Sequence, residues 1–502
     1  MIKSGFYFFG MLSLSSATNY SLLLDYLNGL PEQDSSLRIA IVEAGTTSFL
    51  PVAFTTASYT EEDSSSNFFG KTFFNWHLST GTGRTNHSAG SANRALGLAG
   101  IAPAPLTVDC YNANTFISEF ANRTFPQFPS DVESHAYIGN LDSSSASDIS
   151  AAESVFLSYD YHIAANDILS AVGLNNDGNA PRATPASNQP WLMCSSYNAV
   201  SVGVLDGTHS EGGTKSFLTG PGRTKPEIVI NETSTSGATA TAAGCFSLLK
   251  QVATSTSLNA NATKTETLQA TVFAGCQKVN IPNWSRSETQ PIDAHWGFGE
   301  VNLLHSHRIL TADQQAPGVV ERRGWYTANI NNANELVFEV TLPNGYDGAL
   351  ASIATKHIRN IRSFGNNSLQ DSLPPDCYLE LRDSNGSVLQ RSDSLVDNVE
   401  HLYLELEADQ TYQIVLGTND TQLGRFSIAW RFPLFNAESL TPNINGEITA
   451  SNLEVGMEYE LQQSTDLATW IPLEEITATS ESYTWVNQST ENVFYRLISF
   501  YP

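Results

Sequence analysis

The stretch Thr235-Ser-Gly-Ala-Thr-Ala-Thr-Ala-Ala-Gly-Cys245 opens a helix on two hydroxyls and a glycine, then continues almost wholly in Ala, Gly and Thr. A serine at a helix tip is most often a cap, and small residues most simply serve close packing. The chemical reading is that Ser236 is a nucleophile which a substrate must approach. It needs a base, an orienting carboxylate and an oxyanion donor elsewhere in the chain. His87, in TNHSAGSANRALGLAGIAPAP, is followed by small residues just as Ser236 is. A lone histidine is usually structural, but two such small-residue helices, one after a His and one after a Ser, are rare by chance. Glu43 stands straight after the apolar run Ile39-Ala-Ile-Val42 and before Ala44-Gly45, an unusual place for a carboxylate. Asn176, in GLNNDG, ends a strand in a turn, where its amide can donate to an oxyanion.

These residues sit at the ends of elements. As far as about Leu310, apolar β-rich runs alternate with helical patterns. Leu37–Val42, Ile168–Leu174, Tyr197–Val204 and Ile228–Ile230 read as buried strands, and Ser154–Leu169 as a helix. In the helix after Ser236, Ala238, Ala242, Cys245, Phe246 and Leu249 share one face. Alternating βα units predict a parallel sheet covered by helices on both faces. Ligands bind beyond the carboxyl ends of such strands, where the Glu43 and Asn176 turns fall. After Gln315 the pattern changes to period two. Val337–Thr341, Cys377–Leu381, His401–Leu406, Tyr412–Leu416 and Arg425–Trp430 predict a β-sandwich. A last block from about Phe435, with Tyr459–Gln463, Tyr483–Trp485 and Phe494–Leu497, predicts a second small β unit.

Over 502 residues, acidic side chains outnumber basic ones by 51 to 25, a formal charge of −26. Nucleic acid and anionic membrane would be repelled, so neither is an expected partner. No later stretch is long and apolar enough to span a bilayer. Ser, Thr, Asn and Gly fill the surface in place of Lys and Arg, an extracellular style. The start, with Lys3, the apolar Phe6–Leu14 and the small Ser15-Ser-Ala17, reads as a short signal peptide; a buried first strand or helix is the alternative. Cys110, Cys194, Cys245, Cys276 and Cys377 form no CxxC pair or His/Cys cluster, which speaks against structural zinc. One or two disulfides and buried thiols remain equally open.

Taken in order, IAIVEAG, HSAGSANRALGLAGIAPAP, GLNNDG, YNAVSVGVLDG and GPGRTKPEIVINETSTSGATATAAGCFSLL resemble the subtilisin-like serine proteases, with HWGFGEVNLLHSHRIL resembling that domain's closing segment. The resemblance spans roughly residues 37–310 and keeps the order acid, His, Ser. It implies a subtilisin-like α/β fold and a secreted endopeptidase acting on proteins or peptides, with no cofactor required for the chemistry. By the same resemblance Ser236 attacks the scissile carbonyl and His87 moves the proton. Glu43 orients the imidazole, and Asn176 with the Ser236 N–H stabilises the oxyanion. The sequence departs from the family in having Glu43 where Asp is usual, Ser234 where Gly is preferred and Ala240 where Pro is usual. The His segment has two registers. In one, His87 is the base; in the other the catalytic slot holds Arg84 and the protein is silent.

The expected organisation is a signal peptide over 1–17, a subtilase-like catalytic domain over 18–315, an accessory β-sandwich over 316–433 and a small β module over 434–502. YLELRDSNGSVLQRSDSLVDNVEHLYLEL with FSIAW, and YELQQSTDLATW with FYRL, resemble accessory β modules of secreted bacterial proteins. They imply surface retention, hence a secreted or cell-surface location, and no chemistry. Asp383, Asn385, Asp393 and Asp397 are calcium candidates, with loop solvation as the alternative. Two other functions stand beside the protease. One is a catalytically silent binding protein on the same fold. The other is a sedolisin-like acid peptidase, in which acids replace the His; His87 and Asn176 argue against it.

Overall fold

The computed structural model describes Tyr20, Leu23 and residues 36–500, apart from 46, 99, 104–106, 125–129, 140–144, 177–192, 256–257, 279–280, 334, 343–348, 364–368, 371–372, 422, 433–438, 443–446, 452, 454–457, 465–470, 481 and 487–493. The signal-peptide segment 1–17 lies outside these residues. Eight strands make the main sheet: β1 (Arg38–Glu43), β2 (Ser58–Thr60), β3 (Thr72–Asn75), β4 (Thr107–Asn112), β5 (Val132–His135), β6 (Leu169–Gly173), β7 (Val200–Val204) and β8 (Ile228–Ile230). Their spatial order is β2-β3-β4-β1-β5-β6-β7-β8. Every neighbouring pair is parallel except the edge pair β2–β3. The chain leaves β1 toward β4 on one side and returns to β5 on the other. The carboxyl end of β1 is therefore the switch point of the sheet, where open α/β folds place their crevice.

Helices α1 (Asn86–Leu96), α2 (Ala113–Ala121), α3 (Ala146–Asn166) and α4 (Thr235–Ser255) cover the two faces. Side chains of β1 alternate between them, as a period of two requires. Ile39 and Ile41 share a core with Ala92 and Ala95 of α1 and Ala238 and Ala242 of α4. Ala40 and Val42 pack instead with Phe116 and Phe120 of α2 and Phe156 and Tyr159 of α3. By the same parity Glu43 faces the α1/α4 side. The small residues of α4 let it lie close. A Cβ on Gly244 would sit 3.0 Å from the Ala95 carbonyl oxygen of α1, and one on Gly173 of β6 would sit 2.6 Å from Thr239 Oγ1 of α4. The helix read as 154–169 starts earlier, at Ala146, because Ser145 caps it by accepting from the Asp148 N–H.

Helix α5 (Thr265–Gly275) is buried along its whole length. One side meets the α/β layer; the other meets a four-stranded antiparallel sheet made of β9 (Arg323–Ile330), β10 (Ala349–His357), β11 (His401–Leu406) and β12 (Gly424–Arg431). A five-stranded sheet packs behind it and closes a sandwich core around Phe338, Leu379, Ile414 and Trp430. Trp325, Ala354, Val399 and Ala429 belong to the core of the α/β layer itself. Polar contacts tie the two together. Arg425 bonds Glu266 at 2.7 Å and Asp167 at 3.1 Å, Arg359 bonds Asp160 at 3.1 Å, and Lys356 donates to the Tyr197 carbonyl at 2.7 Å. Residues 439–500 form two three-stranded sheets around Ala450, Tyr459, Leu461 and Trp485.

All five cysteines are buried thiols. No described helix is long and apolar enough to cross a membrane. Among the described residues no group of three or more His, Cys, Asp or Glu is arranged to hold a metal. Three of the calcium candidates make contacts within the protein. Asp383 accepts from the Asn385 and Ser387 N–H groups, Asp393 pairs with Arg391, and Asp397 accepts from the Thr224 N–H.

Buried histidines give the fold a pH dependence. Burial lowers His209 and His307 from 6.5 to about 4 and His357 to about 3. They are neutral in the folded chain and take a proton near pH 6.5 once it unfolds. Their contribution is complete above 6.5 and is lost as pH falls toward 4, at about 1.4 kcal/mol per group per pH unit. Glu400, raised well above 4.5 by burial, works in the opposite sense and offsets part of this. Urea unfolding is expected to show a stability several kcal/mol lower at pH 5 than at pH 7. A flat profile over that range would mean these imidazoles are not held neutral inside.

Candidate active site

Glu43 is the last residue of β1 and is 2% exposed. Thr85 caps α1 by accepting from the Ser88 N–H, which sets His87 in the first turn of that helix. His87 Nδ1 lies 2.8 Å from Glu43 Oε2; the imidazole is half exposed and the carboxylate is covered. The carboxylate bond raises His87 above its ordinary pKa, against burial and the nearby Arg94. Burial in turn raises the Glu43 carboxyl, against the lowering contributions of His87 and Ser91. Arg84 stands elsewhere, exposed on a short strand and donating to the Pro51 carbonyl at 3.1 Å. Of the two registers, the structure puts His87 and not Arg84 beside the buried acid.

Ser236 is the second residue of α4, in the turn where helical N–H groups lack acceptors and the dipole is positive. Ser234 caps this helix by accepting from the Gly237 N–H at 3.2 Å. Asn176 Oδ1 accepts from the Thr235 N–H at 2.8 Å and the Thr235 hydroxyl at 3.1 Å. Because a backbone donor requires an oxygen opposite it, the amide nitrogen is the end of Asn176 left over. Neither that nitrogen nor the Ser236 N–H has a hydrogen bond among the described residues. No hydrogen bond joins His87 to Ser236. The structure thus brings Glu43 to His87 and Asn176 to the head of α4, and packs the two helices α1 and α4 together.

A cleft of about 120 Å³ opens at Ser236. Its walls are Ala136, Tyr137, Ile138, Gly173, Leu174, Asn175, Asn176 and Thr235. None carries a charge. The size approaches that of a cavity which holds a benzene ring, roughly 150 Å³. The wall Ala136 to Ile138 follows β5 directly, in the AYIG stretch that the sequence left unaligned with the cleft. The ion pair of Arg94 with Glu232 at 3.3 Å, beside Gly237, was missed by sequence reasoning.

No family model matches this chain, and no curated protein matches it. Among solved structures, tripeptidyl peptidase 2 aligns at 8% identity with a TM-score of 0.28, covering 75% of this chain and 43% of that one. The chain thus spans less than half the length of that structure. The pre-peptidase C-terminal domain of a collagenase from Bacillus anthracis aligns at 8% identity and a TM-score of 0.17, over 24% of this chain and 96% of that domain. A beta-1,2-glucanase from Parabacteroides distasonis aligns at 12% identity and a TM-score of 0.16. Scores this low carry no argument about activity, so the functional reading rests on the residues themselves.

Proposed function

We propose that this chain is a subtilisin-like serine endopeptidase that cleaves protein or peptide substrates through a Ser236–His87–Glu43 triad. The observation that carries the reading is the buried Glu43 carboxylate bonded to the exposed His87. It lies at the switch point of a parallel sheet, on the face covered by the helix that carries Ser236 in its first turn. In the proposed mechanism Ser236 Oγ bonds to the scissile carbonyl carbon while its proton passes to His87. The carbonyl oxygen becomes an oxyanion, stabilised by the Asn176 amide and the Ser236 N–H, each effective because it is fixed in place beforehand. Collapse breaks the peptide bond, and His87 gives its proton to the leaving amine. Water then attacks the acyl-enzyme, His87 again taking and returning the proton. Glu43 holds the ring and stabilises its charged form. The uncharged cleft suits an uncharged side chain beside the scissile bond.

A second reading is a catalytically silent protein that binds through the same cleft; the missing His87–Ser236 hydrogen bond favours it. Such bonds are often long before substrate arrives, so labelling decides. A fluorophosphonate probe is expected to label the wild type stoichiometrically at Ser236 and to leave Ser236→Ala unlabelled. A folded wild type that resists the probe, with no hydrolysis above the Ser236→Ala background, replaces the protease with the binding protein.

A further inference from the structure

The loop that carries Asn176 is stapled to a second segment. Asn176 forms a β-bridge with His209. Next to it, the Ser210 N–H donates to the Asn175 carbonyl at 2.8 Å, and the Asn175 N–H donates to Ser210 Oγ at 3.1 Å. The placement of Asn176 therefore depends on what holds residues 209 and 210.

That anchor is the His209 ring, which is fully buried. Its Nδ1 accepts from the Val204 N–H at 3.1 Å, so the proton sits on Nε2, which donates to the His295 carbonyl at 2.8 Å. The ring lies against Gly203, where a Cβ would come within 2.8 Å of ring carbon Cε1. One neutral imidazole thus ties three pieces together: the end of β7, the turn 293–297 and the strap that pairs with Asn176. Burial, which lowers its pKa to about 4, keeps it neutral and able to accept from Val204.

On the protease reading, we infer that His209 is a positioning residue for the oxyanion donor Asn176, acting through the bridge between the two. It touches no substrate and holds the register of the loop from which the Asn176 amide points. Misplacing a catalytic donor by about 1 Å costs on the order of 10²-fold in turnover.

The test is a double-mutant cycle on the full chain with a peptide substrate, rates being normalised to Ser236 labelled by a fluorophosphonate probe. Asn176→Ala is expected to lower kcat by about 10²–10³ with KM nearly unchanged. His209→Ala is expected to lower kcat by roughly 10²-fold, also with little change in KM. In the Asn176→Ala background the same change is expected to cost less than about threefold, because the donor it positions is gone. His209→Gln, which keeps one acceptor and one donor, is expected to recover part of the loss. If His209→Ala does not fold, His209→Gln takes its place in the cycle. An equal loss in both backgrounds, or no loss in the Asn176-intact enzyme, overturns the positioning role while leaving the protease intact. An unchanged kcat in Asn176→Ala overturns it too, by removing the donor. A wild type without Ser236-dependent turnover overturns the protease reading, and this inference with it.

Discussion

Glu43→Gln is expected to leave the fold intact and to lower turnover by about 10⁴-fold, the loss typical when a triad loses its acid. The amide fills the same space, and it removes a charge whose burial already raises the carboxyl. What disappears is the oxygen charge 2.8 Å from His87 Nδ1. The ring can then turn, and its charged form in the transition state is no longer balanced. The pH profile should move as well. His87 stands above its ordinary pKa chiefly because of the Glu43 bond. The acidic limb of kcat/KM, which reports this group in the free enzyme, should therefore shift to lower pH in Glu43→Gln. Glu43→Asp shortens the side chain by one carbon–carbon bond, about 1.5 Å. On a backbone that places Glu within reach it should fall short of His87 and recover only part of the rate. Full activity in Glu43→Gln, with the acidic limb unmoved, would remove Glu43 from the mechanism.

A chain ending at Gln315 is expected not to fold. Helix α5 has no solvent face, and half of its surroundings come from β10 and β12. Cutting there would uncover the side of α5 that meets β10 and β12, and would strip Glu266, Asp160 and Asp167 of Arg425 and Arg359. Removing one partner of a buried ion pair costs about 3–5 kcal/mol, against a total stability of about 5–15 kcal/mol for a typical domain. Residues 1–432, by contrast, should keep their stability, since the last two sheets enclose a core of their own. Size-exclusion and urea unfolding read both. A monomeric, cooperatively unfolding 1–315 fragment would make the sandwich an independent appendage.

Four strands of the main sheet, β1, β6, β7 and β8, were legible because each is a short apolar run ended by turn residues; β2, β3, β4 and β5 (SYT, TFFN, TVDCYN and VESH) were not, because polar residues break the apolar run. In the sandwich, strands of the five-stranded sheet such as Leu336–Leu342 and Cys377–Arg382 were legible, as were β11 and β12, because polar and apolar residues alternate along them. Ala349–His357 escaped notice for the opposite reason. From Ala351 onward the strand is buried on both faces, one against the sandwich core and one against α5, so no alternation survives. TETLQATVFAG escaped because its Thr, Glu and Gln look solvent-facing, yet they are buried, three of them on polar partners: Thr265 on the Ile168 carbonyl, Glu266 on Arg425 and Gln269 on the Asn198 carbonyl. At the site, residue types singled out Glu43, His87, Asn176 and Ser236. Sequence left the register between His87 and Arg84 open, because a helix and a short strand three residues apart offer either one. His209 gave no signal beyond a lone histidine. Its partners are backbone groups, and backbone groups carry no residue identity.

The alternation along β1 also bears on how such a chain can change over generations. Ile39, Ile41 and Glu43 share one face of the sheet, and Ala40 and Val42 the other. Substitutions that keep size and polarity leave this order alone. The gain or loss of a single codon within the strand turns its carboxylate through half a revolution, from the helix that bears His87 to the aromatic cluster around Phe116 and Tyr159. Two codons restore the side but lengthen the strand by about 7 Å. Along these six residues drift can proceed by replacement and hardly at all by insertion.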